Sequence, residues 1–186
     1  MKYIYYSVSM SLNQDFLNEY FSKVWYKRDR TLSQYQFSGY ALADKIAPGE
    51  WVLDVGCGKH LFKGHIQNLI GVDPAFDEAD YKCTIQEFIT DQKFDVAFCL
   101  GSINFGDEQD IRAEIAKVVR LLNPKSRIFW RCNPGLRDHG NVECNNIPFY
   151  EWDVEKLICW ADEFGFKVAE IRWDSNHRLY AEWVRY

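Results

Sequence analysis

The sequence predicts an α/β fold, doubly wound around a mainly parallel sheet. After residue 50, short apolar runs of strand length alternate with segments of helical period. Phe94–Leu100 (FDVAFCL) sits among them as a near-continuous apolar run, the pattern of a strand covered on both faces. With 186 residues the chain is long enough for one domain around one core, and no linker, repeat or low-complexity stretch divides it. The expected organisation is a single domain over 1–186, with N-terminal helices over 1–49 and the sheet core over 50–186.

Ser11-x-x-Gln14 has the form of a capping box. Phe16, Leu17, Tyr20, Phe21, Val24 and Trp25 then recur at helical spacing and give a wide apolar stripe. A second, weaker helix over 33–47 is closed by Pro48-Gly49. Strands follow at 51–55, 68–73, 81–84 and 94–100. The clearest helix spans 108–122, with Asp107 as its cap and Ile111, Ile115, Val118, Val119 and Leu122 on one face. Asn123-Pro124 stops it before a strand at 127–131. Residues 132–151 form a long irregular connection, a length often associated with function. Asp153 caps the last helix, whose face is Val154, Leu157, Ile158, Ala161 and Phe164 and which Gly165 closes. Two strands at 166–173 and 177–186 flank the turn DSN and form an antiparallel hairpin.

Composition narrows the function classes. A net charge of −5 argues against a broad nucleic-acid footprint, which needs a basic face. The one basic cluster, Lys27-Arg28-Asp29-Arg30, is short, broken by an acid, and reads as a solvated helix end. The six cysteines include no C-x-x-C pair and several lie in apolar runs, so no metal site is expected and a reducing cytoplasm fits. No segment has signal-peptide quality or the length to span a bilayer.

The candidate site lies on the rim where the strands end, since ligands of such sheets bind outside their carboxyl ends. Gly56 and Gly58 follow the first strand, where missing side chains permit tight turning and close approach of backbone N–H groups to a ligand. Asp73 ends the second strand, placed to accept both hydroxyls of a ribose. Strand, Gly-x-Gly and a second strand ending in Asp together point to an adenosine-containing ligand. A dinucleotide loop would need a third glycine where Leu61 stands, and a phosphate loop would need Gly-Lys-Ser/Thr, which is absent. Asp54, two residues before the first glycine, is awkward beside a pyrophosphate but suits a ligand with a cationic ammonium group.

On these residues the chain resembles the class I S-adenosylmethionine-dependent methyltransferases. VLDVGCG, IGVDP, KFDVAFCLGSINF, IRAEIAKVVRLLNPKSRIFW and ADEFGFKVAEIRW occur in the order of that family's motifs, over about residues 48–185. The resemblance implies a Rossmann-like, seven-stranded sheet in the order 3-2-1-4-5-7-6, the last strand antiparallel, with helices on both faces. It implies S-adenosyl-L-methionine as cofactor. Asp54, Gly56, Cys57 and Gly58 would flank the methionine moiety, Asp73 and Pro74 would lie at the ribose, the segment around Cys83, Thr84 and Ile85 would edge the adenine, and Leu100–Asn104, with Leu100 and Gly101 first, would lie beneath the sulfonium. Three departures stand out. His60 occupies the place of a usual third glycine, so the loop is either less open or uses the imidazole as a contact. Cys83 replaces an Asp that many members direct at the adenine amino group. The stretch between Gly58 and Asp73 leaves room for a brief helix or none.

The acceptor is poorly marked. Neither the Asn/Asp-Pro-Pro-aromatic motif of base amino methyltransferases nor a Pro-Cys nucleophile is present. With the acidic balance, this favours methyl transfer to an O, N or S atom of a small molecule. The alternatives are a protein or RNA acceptor, and a binding protein without catalysis. His139 is the first candidate base and His177 the second. Tyr20, Trp25, Tyr26, Tyr35, Phe105, Phe149, Tyr150 and Trp152 are candidates to line an acceptor pocket.

Overall fold

A computed structural model describes residues 12–27, 40–135, 142–174 and 177–186. Six strands form one sheet: β1 (Val52–Val55), β2 (Leu69–Val72), β3 (Phe94–Leu100), β4 (Leu122–Cys132), β5 (Lys167–Trp173) and β6 (Leu179–Arg185), in the order β2-β1-β3-β4-β6-β5. β2, β1, β3 and β4 are parallel, and β6 runs antiparallel to both of its neighbours. The carboxyl ends of the first four strands and the start of β6 therefore meet on one rim.

The expected seventh strand, at 81–84, is reduced to a single bridge between Val72 and Tyr81. The edge of β2 needs no more than that. Tyr81 N donates to Gly71 O and Asp73 N donates to Tyr81 O, both at 3.1 Å. The Asp80 carboxylate takes Gly71 N at 2.9 Å. A side chain thus supplies a hydrogen bond that a partner strand would have made.

Side-chain alternation along the strands divides the core. Leu53, Val55, Ala97, Cys99, Ile128 and Trp130 face α3 (Glu108–Leu121) and α4 (Val154–Glu163). Val52, Val96, Phe98 and Phe129 face the other way, against Leu42 of the short α2 (Tyr40–Ala43) and Phe62 and Ile66 of the β1–β2 connection. That connection forms turns and no α-helix, as its length and Gly64 allow. Among the described residues, long helices cover one face only.

Asp107 and Asp110 form a reciprocal capping box at the start of α3. α3 ends at Leu121, just ahead of Asn123-Pro124 as expected, but the strand starts earlier than 127: β4 begins at Leu122 and bulges before pairing Val96 with Arg127. In α4 the buried face is Leu157, Trp160 and Ala161, whereas Ile158 is 50% exposed. Asn13 caps the first helix, α1 (Gln14–Glu19), by accepting from Phe16 N. α1 continues through a π-turn (Tyr20–Val24) and a 3₁₀ turn (Trp25–Lys27). Ser11 and 33–39 of the expected second helix lie outside the described residues. No helix among the described residues is long and apolar enough to cross a membrane.

Candidate functional site

The rim opens into a cavity of 680 Å³. Asp54 and the glycine loop after β1 form one end of it. Gly56 adopts φ 66°, and its N–H donates to Val72 O at 2.8 Å, which bends the chain over the end of β2. A β-carbon on Gly56 would lie 2.3 Å from Ser102 Cβ, so the loop after β3 seats directly on this glycine. Gly58, at φ 55°, donates its N–H to Asp73 Oδ2 at 2.9 Å, and Ala75 N donates to Asp73 Oδ1 at 2.8 Å. Asp73 is therefore oriented by amides from both rim loops. The Phe76 amide contributes as a third backbone donor to this carboxylate, whose four lone pairs still leave an acceptor site toward the cavity.

Asp54 differs. It is 4% exposed and lines the cavity, and its carboxylate accepts no hydrogen bond from the described residues. Burial, reinforced by the charge of Asp73, pushes its pKa to about 7. Burial raises Asp73 as well, against the lowering effect of its backbone donors. Glu114 of α3 also lines the cavity, with its pKa pushed to about 8 by burial and by Asp110. An acid held short of water and without a donor calls for a cationic or hydrogen-donating ligand.

Of the residues singled out from the sequence, Asp54, Gly56, Cys57, Gly58, Asp73, Pro74, Thr84, Ile85, Leu100 and Gly101 all line this cavity. His60 does not. Its backbone is at φ 51°, and its ring packs under β2, where a β-carbon on Gly71 would meet His60 Nε2 at 2.5 Å. Nδ1 lies 3.3 Å from Glu78 O and Nε2 3.5 Å from Asp80 Oδ2, and burial lowers its pKa. His60 braces the loop from behind. Cys83 is half-buried and does not line the cavity. His177 is an exposed turn residue at φ 54°, outside the lining. His139 lies outside the described residues, as does Tyr35.

The other end of the cavity is roofed by α1 and the turns after it. Leu17 and Tyr20 pack on Cys144, Ile147 and Phe149 from the 142–150 connection. Cys144 Sγ–H donates to Tyr20 Oη at 2.8 Å. Phe21, Trp25, Phe105 and Phe149 contribute rings to the lining, whereas Tyr26 is exposed, and Tyr150 and Trp152 are buried in the core beside Trp160. Asn104 holds the exits of β3 and β4 together: its Oδ1 accepts from Asn133 N at 2.9 Å and its carbonyl from Tyr150 N at 2.8 Å.

Polar residues of the lining that were not singled out from the sequence include Asn18, Lys59, Glu114, Arg131, Asn133 and Arg178. Two carried a readable signal. Glu114 falls on the buried stripe of its helix, between Ile111 and Ile115, and Arg131 ends an apolar strand at its carboxyl end, as Asp54 nearly does. No group of three or more His, Cys, Asp or Glu among the described residues could hold a metal ion.

No family model matches the chain, and no curated protein matches it. Solved structures do. The Burkholderia thailandensis 1,6-didemethyltoxoflavin-N1-methyltransferase, bound to 1,6-didemethyltoxoflavin and S-adenosylhomocysteine, is 17% identical with a TM-score of 0.67, covering 92% of this chain and 86% of that one. The N-methyltransferase NodS from Bradyrhizobium japonicum, in complex with S-adenosylhomocysteine, is 16% identical with a TM-score of 0.64, covering 92% and 97%. A putative methyltransferase of Haloferax volcanii, in complex with a methyltransferase activator, is 13% identical with a TM-score of 0.68, covering 94% and 99%. The chain has the fold of S-adenosylmethionine-dependent methyltransferases.

Proposed function

We propose that the protein is an S-adenosyl-L-methionine-dependent methyltransferase acting on an O, N or S atom of a small molecule. The observation that carries the reading is Asp54: a buried carboxylate facing the cavity, without a donor, beside glycine amides and across from Asp73. The ammonium of a methionine moiety supplies the missing cation there, and Asp73 accepts the two ribose hydroxyls. Thr84 and Ile85 edge the adenine, and Leu100 and Gly101 pass beneath the sulfur. The structural neighbours holding S-adenosylhomocysteine support the same ligand.

S-adenosyl-L-methionine offers its methyl on a positively charged sulfur, so in-line displacement depends chiefly on positioning and exclusion of water. The rim loops do the positioning. The roof of α1 and the 142–150 connection covers part of the cavity, and a concave pocket of this kind supports a small acceptor. All six cysteines are free thiols, which supports a cytoplasmic setting.

Titrating S-adenosyl-L-methionine and NAD separately by calorimetry tests the assignment. Heat of binding is expected from the first only. Binding of NAD alone overturns it. Asp73→Ala is expected to weaken the cofactor by about a hundredfold, through two lost ribose hydrogen bonds to a charged group. An unchanged affinity removes the ribose role.

A further inference from the structure

The cofactor reading gives no role to Glu114, although α3 carries its side chain into the lining of the cavity. Its carboxyl makes no hydrogen bond or ion pair among the described residues, and burial with the neighbouring charge of Asp110 pushes its pKa to about 8. At neutral pH it therefore keeps its proton. A protonated carboxyl carries an O–H donor and a C=O acceptor side by side on one planar group.

α3 fixes where Glu114 stands. The helix begins at the rim, after the loop that leaves β3, and runs away from it. Its Ile111, Ile115 and Val118 share an apolar cluster with Ile85 and Phe88. Lys117 lies close enough to Cys83 for its charge to act on the thiol. Glu114 is on the same flank as Lys117 and one turn nearer the rim, since residues three apart are neighbours on a helix. Glu114, Thr84 and Ile85 thus border one corner of the cavity.

The neighbouring segment has little to offer the polar edge of a base in that corner. Thr84 N and Oγ1 both donate to Glu87 Oε2 at 2.9 Å, and the Thr84 carbonyl accepts from Glu87 N and Phe88 N. Cys83 N donates to Tyr81 O at 3.1 Å. Ile85 brings an apolar side chain. Glu114 brings a donor and an acceptor that are both uncommitted. An adenine edge presents their complement, an amino donor beside a ring-nitrogen acceptor.

We infer that Glu114 reads the adenine of the cofactor, donating its proton to a ring nitrogen and accepting from the 6-amino group. The inference rests on the S-adenosyl-L-methionine reading for the identity of the ligand, but the two can fail separately.

The test titrates S-adenosylhomocysteine and its 6-deamino analogue, in which purine replaces adenine, by calorimetry. The unaltered protein is expected to bind the adenine ligand about tenfold or more tightly, the discrimination of a bidentate pair that loses one bond. Glu114→Ala is expected to bring the two ligands to within about twofold. Glu114→Gln should keep most of the preference, because a carboxamide also places a donor beside an acceptor. Circular dichroism confirms folding, and Glu114→Leu, closer in volume, replaces the Ala variant if that one does not fold. The inference falls if the unaltered protein shows no preference or if Glu114→Ala retains it. It falls equally if Glu114→Ala weakens both ligands alike, which is the mark of a role in shape alone. Loss of the preference in Glu114→Gln as complete as in Glu114→Ala overturns the neutral pairing. If neither homocysteine ligand binds, the S-adenosyl-L-methionine reading falls, and adenosine against purine riboside then decides for Glu114. A tenfold preference that Glu114→Ala removes upholds its role, and a smaller one overturns it.

Discussion

The two ends of the cavity are built on different physical terms. At the end assigned to the cofactor, the parts are close in sequence and set by backbone: two left-handed glycines, amides donating into Asp73, and the ends of two paired parallel strands. At the far end the parts are distant in sequence and set by side chains. Tyr20 meets Cys144, Phe105 packs on Phe149, and Arg131 reaches Asp174. Backbone constraints tolerate little change, whereas side-chain contacts over a cavity can be rebuilt. The first end should therefore fail sharply on substitution and the second should be tunable.

Gly56→Ala is the severest test of that contrast. The new β-carbon would clash with Ser102 at 2.3 Å and would have to sit at φ 66°. Overpacking and left-handed strain together cost about 2–5 kcal/mol. Cofactor affinity should fall at least a hundredfold by calorimetry, with lower stability in denaturant. Near-normal binding would mean that the loop is not rigid and that the contrast is false.

Asp54 gives the next largest effect, and one with a sign. Its folded pKa, about 7, lies above the ordinary 3.8, so the folded state binds more protons than the unfolded state between those values. Stability of the ligand-free protein should accordingly fall as pH rises from about 4 to about 7. Glu114, raised to about 8, extends that fall to slightly higher pH. Asp54→Asn should gain about 2–4 kcal/mol at pH 8 in denaturant unfolding. It should also bind S-adenosylhomocysteine more weakly. In the unaltered protein that affinity should rise about tenfold from pH 6 to pH 8, as Asp54 ionises to meet the ammonium. A flat profile would place the cationic group elsewhere.

The same contrast explains what the sequence let one read. Gly56, Gly58 and Asp73 were legible because a strand end, a turn and an acid are local signals. The mainly parallel sheet and the final antiparallel hairpin were legible from the pattern, whereas the strand order came from the family resemblance and the sheet has six strands in place of the seven it implied. The reduction of the seventh to a single bridge was not legible, because Asp80 and Tyr81 satisfy the edge of β2 by a route no periodicity encodes. His60 misled for a related reason. Its position in the loop suggested a contact, but φ 51° turns the ring beneath Gly71. The roof was illegible in detail: Tyr20 and Cys144 stand 124 residues apart, and nothing in either neighbourhood names the other.

That pair supplies the smallest effect. Tyr20→Phe removes the oxygen that accepts from Cys144 Sγ–H but keeps the ring packed on Phe21, at a centroid distance of 5.1 Å. A thiol is a weak donor, so stability should drop by less than about 1 kcal/mol in denaturant. S-adenosylhomocysteine affinity should stay within about twofold, because no rim amide or carboxylate is touched. A large loss of cofactor affinity would mean that the roof and the glycine loop move as one body, with Trp25, 3.8 Å from a β-carbon on Gly58, as the connecting contact.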